Sequence, residues 1–407
     1  MRLMERSSAI LDRHSTEADA TSMLRPTLLI VGAFPPPNSE IVGGVLTACR
    51  SLLQSTFPDH FDLILVDSTQ RSNPPPGLLK RALVALKRSA GYLRLLLAKR
   101  PDGVLLFCSS GGSLAEKGAM AWLARILCVP TLIFPRAGKL MDDAARSTLH
   151  RLWTRALLRG ATHFLCQGPR WRRFAVEVIG FSPQRTQIVP NWTADAELLK
   201  IGRRRLSEDP ASTSRLLFLG WLEEAKGIFQ LLDACERLAK DHMFQLTVAG
   251  RGSAEATARE RVEGSSISDR VEFAGWVERG GLATLLARCD ILVLPSWSEG
   301  LPNAVIEAHA AGVAAIASDV GSVPDVIQHA KTGLLVPAKD VGALEVAIRT
   351  LLTDPELRRR LAVNGHRLAA RYFSADAAVP TLSAFVMDAV LSGKGNTRRT
   401  PRSVAGR

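Results

Sequence analysis

Twelve short apolar runs, each set off from the next by a helix-length segment, constrain this chain more than any other feature. The first six are "TLLIVGAF" (27–34), "FDLILVDS", "GVLLFCSS", "TLIFPRAG", "THFLCQG" and "TQIVPN". A polar, Arg-rich stretch near 200–213 interrupts the rhythm. It restarts with "RLLFLGW", "FQLTVAG", "RVEFAGW", "DILVLPSW", "VAAIAS" and "TGLLVP". Short aliphatic runs alternating with helices read as parallel strands covered on both faces. Two such series predict an α/β protein of two doubly wound, Rossmann-like domains facing each other across a cleft. The predicted boundaries are 26–193 for the first domain, 194–213 for a linker and 214–372 for the second. The helix of 373–392 has no strand after it and can cross back to the first domain. Residues 1–25 mix charges, and 393–407 are small, polar and basic, so both ends are expected to be disordered.

A chain of 407 residues is too long for one core and suits two domains. Aliphatic residues dominate an aromatic content of only 6%, as a parallel sheet under helices requires. No uninterrupted apolar run reaches the length of a membrane span, and residues 1–25 lack the apolar centre of a secretory signal. The cysteines (49, 108, 128, 166, 235 and 289) show no metal spacing and read as buried thiols of a cytoplasmic protein. A net charge of +13 calls for an acidic partner: nucleic acid, an anionic membrane or a phosphorylated substrate.

In doubly wound sheets, ligands bind beyond the carboxyl ends of the strands. Three strand ends carry chemistry. After the first strand, Gly43 and Gly44 open a helix, where free N–H groups attract anions; a flexible loop before a helix is the equal alternative. After "RLLFLG", Lys226 sits at a helix N-terminus, where the macrodipole disfavours it unless an anion lies between. After "DILVLPSW", the segment "SEGLPNAVIEAHAAG" (298–312) places Glu299 before a helix and Glu307 inside it. Each carboxylate can accept hydrogen bonds from vicinal hydroxyls. The small neighbours Ala304, Ala308, Ala311 and Gly312 predict that this helix packs closely against something.

"GWLEEAKGIFQLLDA", "SWSEGLPNAVIEAHAAGVAAIASDVGSVPDVI" and "TGLLVPAKD" closely resemble the retaining nucleotide-sugar glycosyltransferases with two Rossmann-like domains, the GT-B type of group 1, family 4-like. The resemblance is strong over 214–375 and rests on the glycine pair and strand rhythm over 26–193. It implies that Glu307 binds the ribose hydroxyls of the donor. Glu299 would contact the transferred sugar, with the backbone of Gly300, Leu301, Pro302 and Asn303. Lys226 would neutralise the leaving diphosphate, and Gly43–Gly44 would meet it from the opposite domain. Many members carry an arginine directly after the position of Gly220; here Trp221 stands there, and Arg251 in "AGRG" is the nearest substitute. Many carry a histidine where the fourth strand ends, and this chain has Arg136. An arginine stays protonated, so it cannot be a general base, although it could stabilise the leaving phosphate.

The activity expected from the resemblance is retaining transfer from a nucleotide-diphosphate sugar to a saccharide or lipid-linked saccharide, in polysaccharide or glycoconjugate biosynthesis. No cofactor is expected. No two aspartates stand two apart, and Lys226 with helix N-termini can neutralise the diphosphate, so transfer is expected to need no metal. The segment 78–100 carries seven Lys or Arg and no acid. It reads equally as a helix on an anionic membrane, placing the protein on the inner face, or as a domain helix with a solvated basic face. The second basic cluster, "GPRWRRF" (168–174), tilts the balance towards the membrane. An epimerase of the same architecture is the alternative. A nucleic-acid-binding protein is disfavoured, because the basic residues are scattered and no stacking strip interleaves them.

Overall fold

The computed structural model describes residues 25–35, 43–69, 77–208 and 214–397. Each of the twelve apolar runs forms a strand. The described chain divides into two compact units. The first takes the residues up to Arg136, then Asp143–Val189 and Val379 onward; the second takes Ala137–Asp142 and Pro190–Ala378.

In the first unit, β1 (Thr27–Gly32), β2 (Asp62–Asp67), β3 (Gly103–Cys108), β4 (Thr131–Pro135), β5 (His163–Cys166) and β6 (Thr186–Ile188) form one sheet in the order β2-β1-β3-β4-β5-β6. Every pairing is parallel. Its helices are α1 (Gly44–Leu53), α2 (Leu78–Lys99), α3 (Gly112–Ile126), α4 (Lys139–Arg146, whose residues up to Asp142 group with the second unit), α5 (Thr148–Leu158) and α6 (Pro169–Arg173). The central strands β3 and β4 are buried at every position, as their unbroken aliphatic runs require.

The second unit opens with α7 (Ala196–Ser207). Strands β7 (Ser214–Leu219), β8 (Phe244–Ala249), β9 (Val271–Gly275), β10 (Ile291–Leu294), β11 (Ala314–Ser318) and β12 (Leu334–Val336) follow in the order β12-β11-β10-β7-β8-β9. With them run α8 (Ile228–Leu238), α9 (Glu255–Glu263), α10 (Arg279–Ala287), α11 (Asn303–Ala310), α12 (Val341–Thr353) and α13 (Pro355–Tyr372); α14 (Ala375–Thr397) comes last, its residues from Val379 onward grouping with the first unit. Read from β9, this is the Rossmann strand order, and the order reverses between β7 and β10.

Four differences from the sequence reading have physical causes. Residues 196–207, expected within a linker, form α7, capped where Asp195 Oδ1 accepts from Leu198 N at 2.9 Å. Gly202 lets α7 press onto α11: a Cβ there would lie 2.2 Å from the Ala310 carbonyl oxygen. That contact is what the small residues of the 304–312 stretch accommodate. Cys128 is exposed, on a turn after α3, whereas the other five cysteines are buried. In "GPRWRRF", Trp171 is fully buried and rings with Phe174 at 5.9 Å, so the aromatic half of that cluster is core, worth about 2–3 kcal/mol per side chain. Finally, 393–397 continue α14; the remaining ends, 1–24 and 398–407, lie outside the described residues.

The consecutive helices of Pro355–Gly393 are long and apolar enough, by length and composition, to cross a membrane. Val379, Leu382, Val386, Ala389 and Val390 are nevertheless each no more than 1% exposed inside the first unit.

Candidate functional site

A strand-order reversal leaves a crevice, because the loops after its two flanking strands turn to opposite sides. In the second unit those loops are 220–227 after β7 and 295–302 after β10, the two stretches that carry Lys226 and Glu299. The structure joins them directly. Lys226 Nζ donates to Glu299 Oε1 at 2.7 Å, and Ser296 Oγ donates to the same oxygen at 2.7 Å. Trp297 N donates to the Ala225 carbonyl at 2.8 Å, holding the two loops in register. Both charged side chains remain partly accessible, Lys226 at 24% and Glu299 at 11%. An amine with three donors that spends one on a carboxylate still presents charge to an anion arriving from the crevice.

Glu299 is held from below. Gly321, at φ 52°, passes so close that a Cβ would stand 1.7 Å from the Glu299 carbonyl oxygen, and Ser322 N donates to the Gly300 carbonyl at 3.1 Å. Ser298 Oγ donates to Asp142, which groups with this unit. Asn191, 2% exposed, donates from Nδ2 to the Leu301 carbonyl at 2.8 Å and to Asn303 Oδ1 at 2.6 Å. Leu301 is itself buried, so only its backbone can face a ligand. Pro302 precedes the first residue of α11, Asn303, and Glu307 lies half-buried just over one turn further on.

Gly220 and Arg251 close neighbouring strands. Gly220 N donates to the Ala249 carbonyl at 3.0 Å, and Leu222 N to the Arg251 carbonyl at 2.9 Å, with the Arg251 side chain exposed. Trp221, at the position where an arginine is common, instead pairs its ring with Trp276 at 5.2 Å.

Gly43, Gly44 and Arg136 belong to the first unit. Gly43 caps α1, its carbonyl accepting from Thr47 N at 3.0 Å, and among the described residues nothing lies within 4 Å of the place a Cβ would take. Arg136 follows β4 with its guanidinium 4.8 Å from the Phe134 ring centroid. Burial pushes it down to about 10, partly opposed by Cys49, so it stays a cation at neutral pH and cannot act as a base there.

Sequence reasoning missed Ser296, Asn191, Gly321 and the contact of Lys339 Nζ with the Trp297 ring, 3.9 Å from its centroid. Only the proximity of "VPN" to a strand end could have flagged Asn191.

His309 follows Glu307 by two residues, fully buried and packed on Gly365. Burial lowers its imidazole to about 4, against a smaller opposing effect of the Thr332 backbone. Its folded pKa thus lies below the unfolded value of about 6.5, so the unfolded chain binds the extra proton. The resulting stabilisation is complete above pH ~6.5 and is lost as pH falls towards ~4, up to about 3 kcal/mol. His309→Gln should shrink the difference in urea-unfolding free energy between pH 7 and pH 4.5 by about 2 kcal/mol. An unchanged difference would show that this ring is not the titrating group.

Two six-stranded, all-parallel, doubly wound sheets give the chain an α/β fold of the GT-B class. The family described as glycosyl transferases group 1 matches residues 205–368, and the glycosyl transferase 4-like domain matches residues 50–192. Glycogen synthase of Mycobacterium tuberculosis is 29% identical over 206 residues, 50% of this chain and 48% of that protein. Sucrose-phosphate synthase from Thermosynechococcus elongatus shares the fold, with a TM-score of 0.74 at 20% identity, covering 90% of this chain and all (100%) of that one. Anabaena HepE in complex with UDP follows, with a TM-score of 0.65 at 17% identity over 89% of this chain and 100% of that one. The chain spans about half the length of the curated relatives it matches. It belongs to the group 1 glycosyltransferase family.

Proposed function

We propose that the protein transfers a sugar from a nucleotide-diphosphate sugar to a saccharide or lipid-linked saccharide acceptor, with retention of configuration and without a metal ion. One observation carries this reading: Lys226 and Glu299 meet at 2.7 Å where the strand order reverses, beside the start of α11. The ammonium neutralises charge on the leaving diphosphate, assisted by the N–H groups at the start of α11, so the donor site supplies the role a divalent cation would otherwise take. Glu299 then accepts hydrogen bonds from hydroxyls of the transferred sugar, and Glu307 from the ribose. The bond from the anomeric carbon to the phosphate oxygen breaks as the acceptor oxygen bonds that carbon on the same face. The acceptor's proton passes to the departing phosphate oxygen, which leaves as a nucleoside diphosphate. A UDP donor is the first to test, because HepE, a neighbour in fold, is described with UDP.

The test is a thermal-shift titration with UDP-, GDP- and ADP-sugars, since a ligand that binds the folded state raises its melting temperature. One donor should stabilise the wild type. Glu307→Ala should weaken that donor about 10- to 100-fold, the worth of a charged hydrogen bond. Wild-type donor affinity in the variant would sink the assignment, as would strict dependence of turnover on magnesium for its metal-free part. Donor turnover without any acceptor would favour an epimerase.

A further inference from the structure

Of the fifteen large apolar side chains exposed among the described residues, eleven lie within 79–153, on or at the ends of α2, α3 and α5. These three helices are neighbours in the first unit, α3 packing on both of the others. On α2, Leu79, Leu83 and Leu86 recur at helical spacing with exposures of 77%, 59% and 69%. Every residue from Leu79 to Val84 is exposed, so that stretch of the helix has no cover among the described residues. Ile126 on α3 is 73% exposed, and Leu149, Leu152 and Trp153 on α5 are 76%, 56% and 42% exposed. An apolar face of this breadth marks an interaction surface.

The charges identify its partner. Along the three helices stand ten Lys or Arg and a single acid, Glu116. That acid is turned inward, pairing with Arg88 at 2.8 Å and Lys117 at 2.7 Å with its own side chain 7% exposed. No carboxylate on these helices therefore offsets the cations around the exposed leucines. A second copy of the chain would set like charge against like charge. A lipid surface supplies an apolar layer beneath a sheet of phosphates, which this face complements in both respects.

We propose that α2, α3 and α5 of the first unit form one docking face for an anionic lipid bilayer, with Leu79, Leu83, Leu86, Leu149, Leu152 and Trp153 entering the interface and the exposed Lys and Arg of the same helices, Lys80, Arg81 and Lys87 among them, meeting the headgroups. The face is wider than the 78–100 helix and excludes the 168–174 cluster, whose tryptophan is buried. It shares no residue with the Lys226–Glu299 pair, which lies in the second unit.

Flotation of the full chain with vesicles of phosphatidylcholine, alone or with phosphatidylglycerol, tests it across a salt series. Binding to the mixed vesicles should exceed that to the neutral ones at least tenfold at low salt and fall steeply as salt rises. Leu79→Glu with Leu83→Glu, and separately Lys80→Glu with Arg81→Glu, should each reduce binding about tenfold or more. All four positions are exposed, so the melting temperature and its shift by nucleotide sugars should stay at the wild-type value. Equal flotation with neutral vesicles, or variants that float like the wild type, would overturn the proposal. A wild type that ignores both vesicles but forms dimers abolished by the leucine substitutions would assign the face to a second copy instead.

Discussion

Replacing Lys226 by alanine should lower kcat for sugar transfer by about 100- to 1,000-fold while raising the donor KM far less. Charge builds on the leaving diphosphate as the glycosidic bond stretches, so a cation there acts mainly in the transition state; losing such a contact costs about 3–4 kcal/mol. A structural explanation competes, because the variant strands Glu299, whose side chain is 11% exposed and keeps only the Ser296 hydroxyl as a side-chain donor among the described residues. The double variant Lys226→Ala with Glu299→Gln separates the two. It removes the stranded charge, so a loss that was merely structural would be partly restored, whereas loss of the catalytic cation would persist. A kcat within threefold of wild type would end the assignment of Lys226 to the leaving group.

Gly321→Ala should be the most damaging single methyl group in the second unit. Its Cβ would lie 1.7 Å from the Glu299 carbonyl oxygen, a backbone atom that cannot swing aside, at a φ of 52° that alanine rarely adopts. The loop must move, breaking the bond from Ser322 N to the Gly300 carbonyl and displacing Glu299. A stability loss of about 3 kcal/mol or more is expected, lowering Tm by roughly 6–12 °C, together with weaker donor binding. Gly264→Ala is the control: it ends α9 at φ −96°, and nothing lies within 4 Å of an added Cβ. Wild-type Tm and donor affinity for Gly321→Ala would mean that the 299 loop is not braced there.

The strands were legible because each is a run of aliphatic residues whose burial depends on the run itself. Glu299 and Glu307 were legible for a similar reason, since eight positions of loop and helix fix them to one short segment. The 194–213 stretch was not. Its Arg-rich composition describes a solvated face of α7, while the opposite face is defined by α10, α11 and α13, all much later in the chain. Trp171 misled for the same reason: flanking arginines marked a surface, and its burial depends on Phe164 and Phe174.

Two series of βα units, the glycine-and-acid segment at 298–312 and a surplus of positive charge can all be read along the chain. Local patterning suffices for these, because periodicity, turn chemistry and composition are properties of neighbouring residues. Folding in three dimensions is what brings Lys226 to Glu299, 73 positions apart, sets Asn191 against Leu301 across 110, and places particular basic residues on one face with exposed leucines. Those facts follow from strand order and helix packing, which bring together segments whose separation in the chain carries no record of their contact.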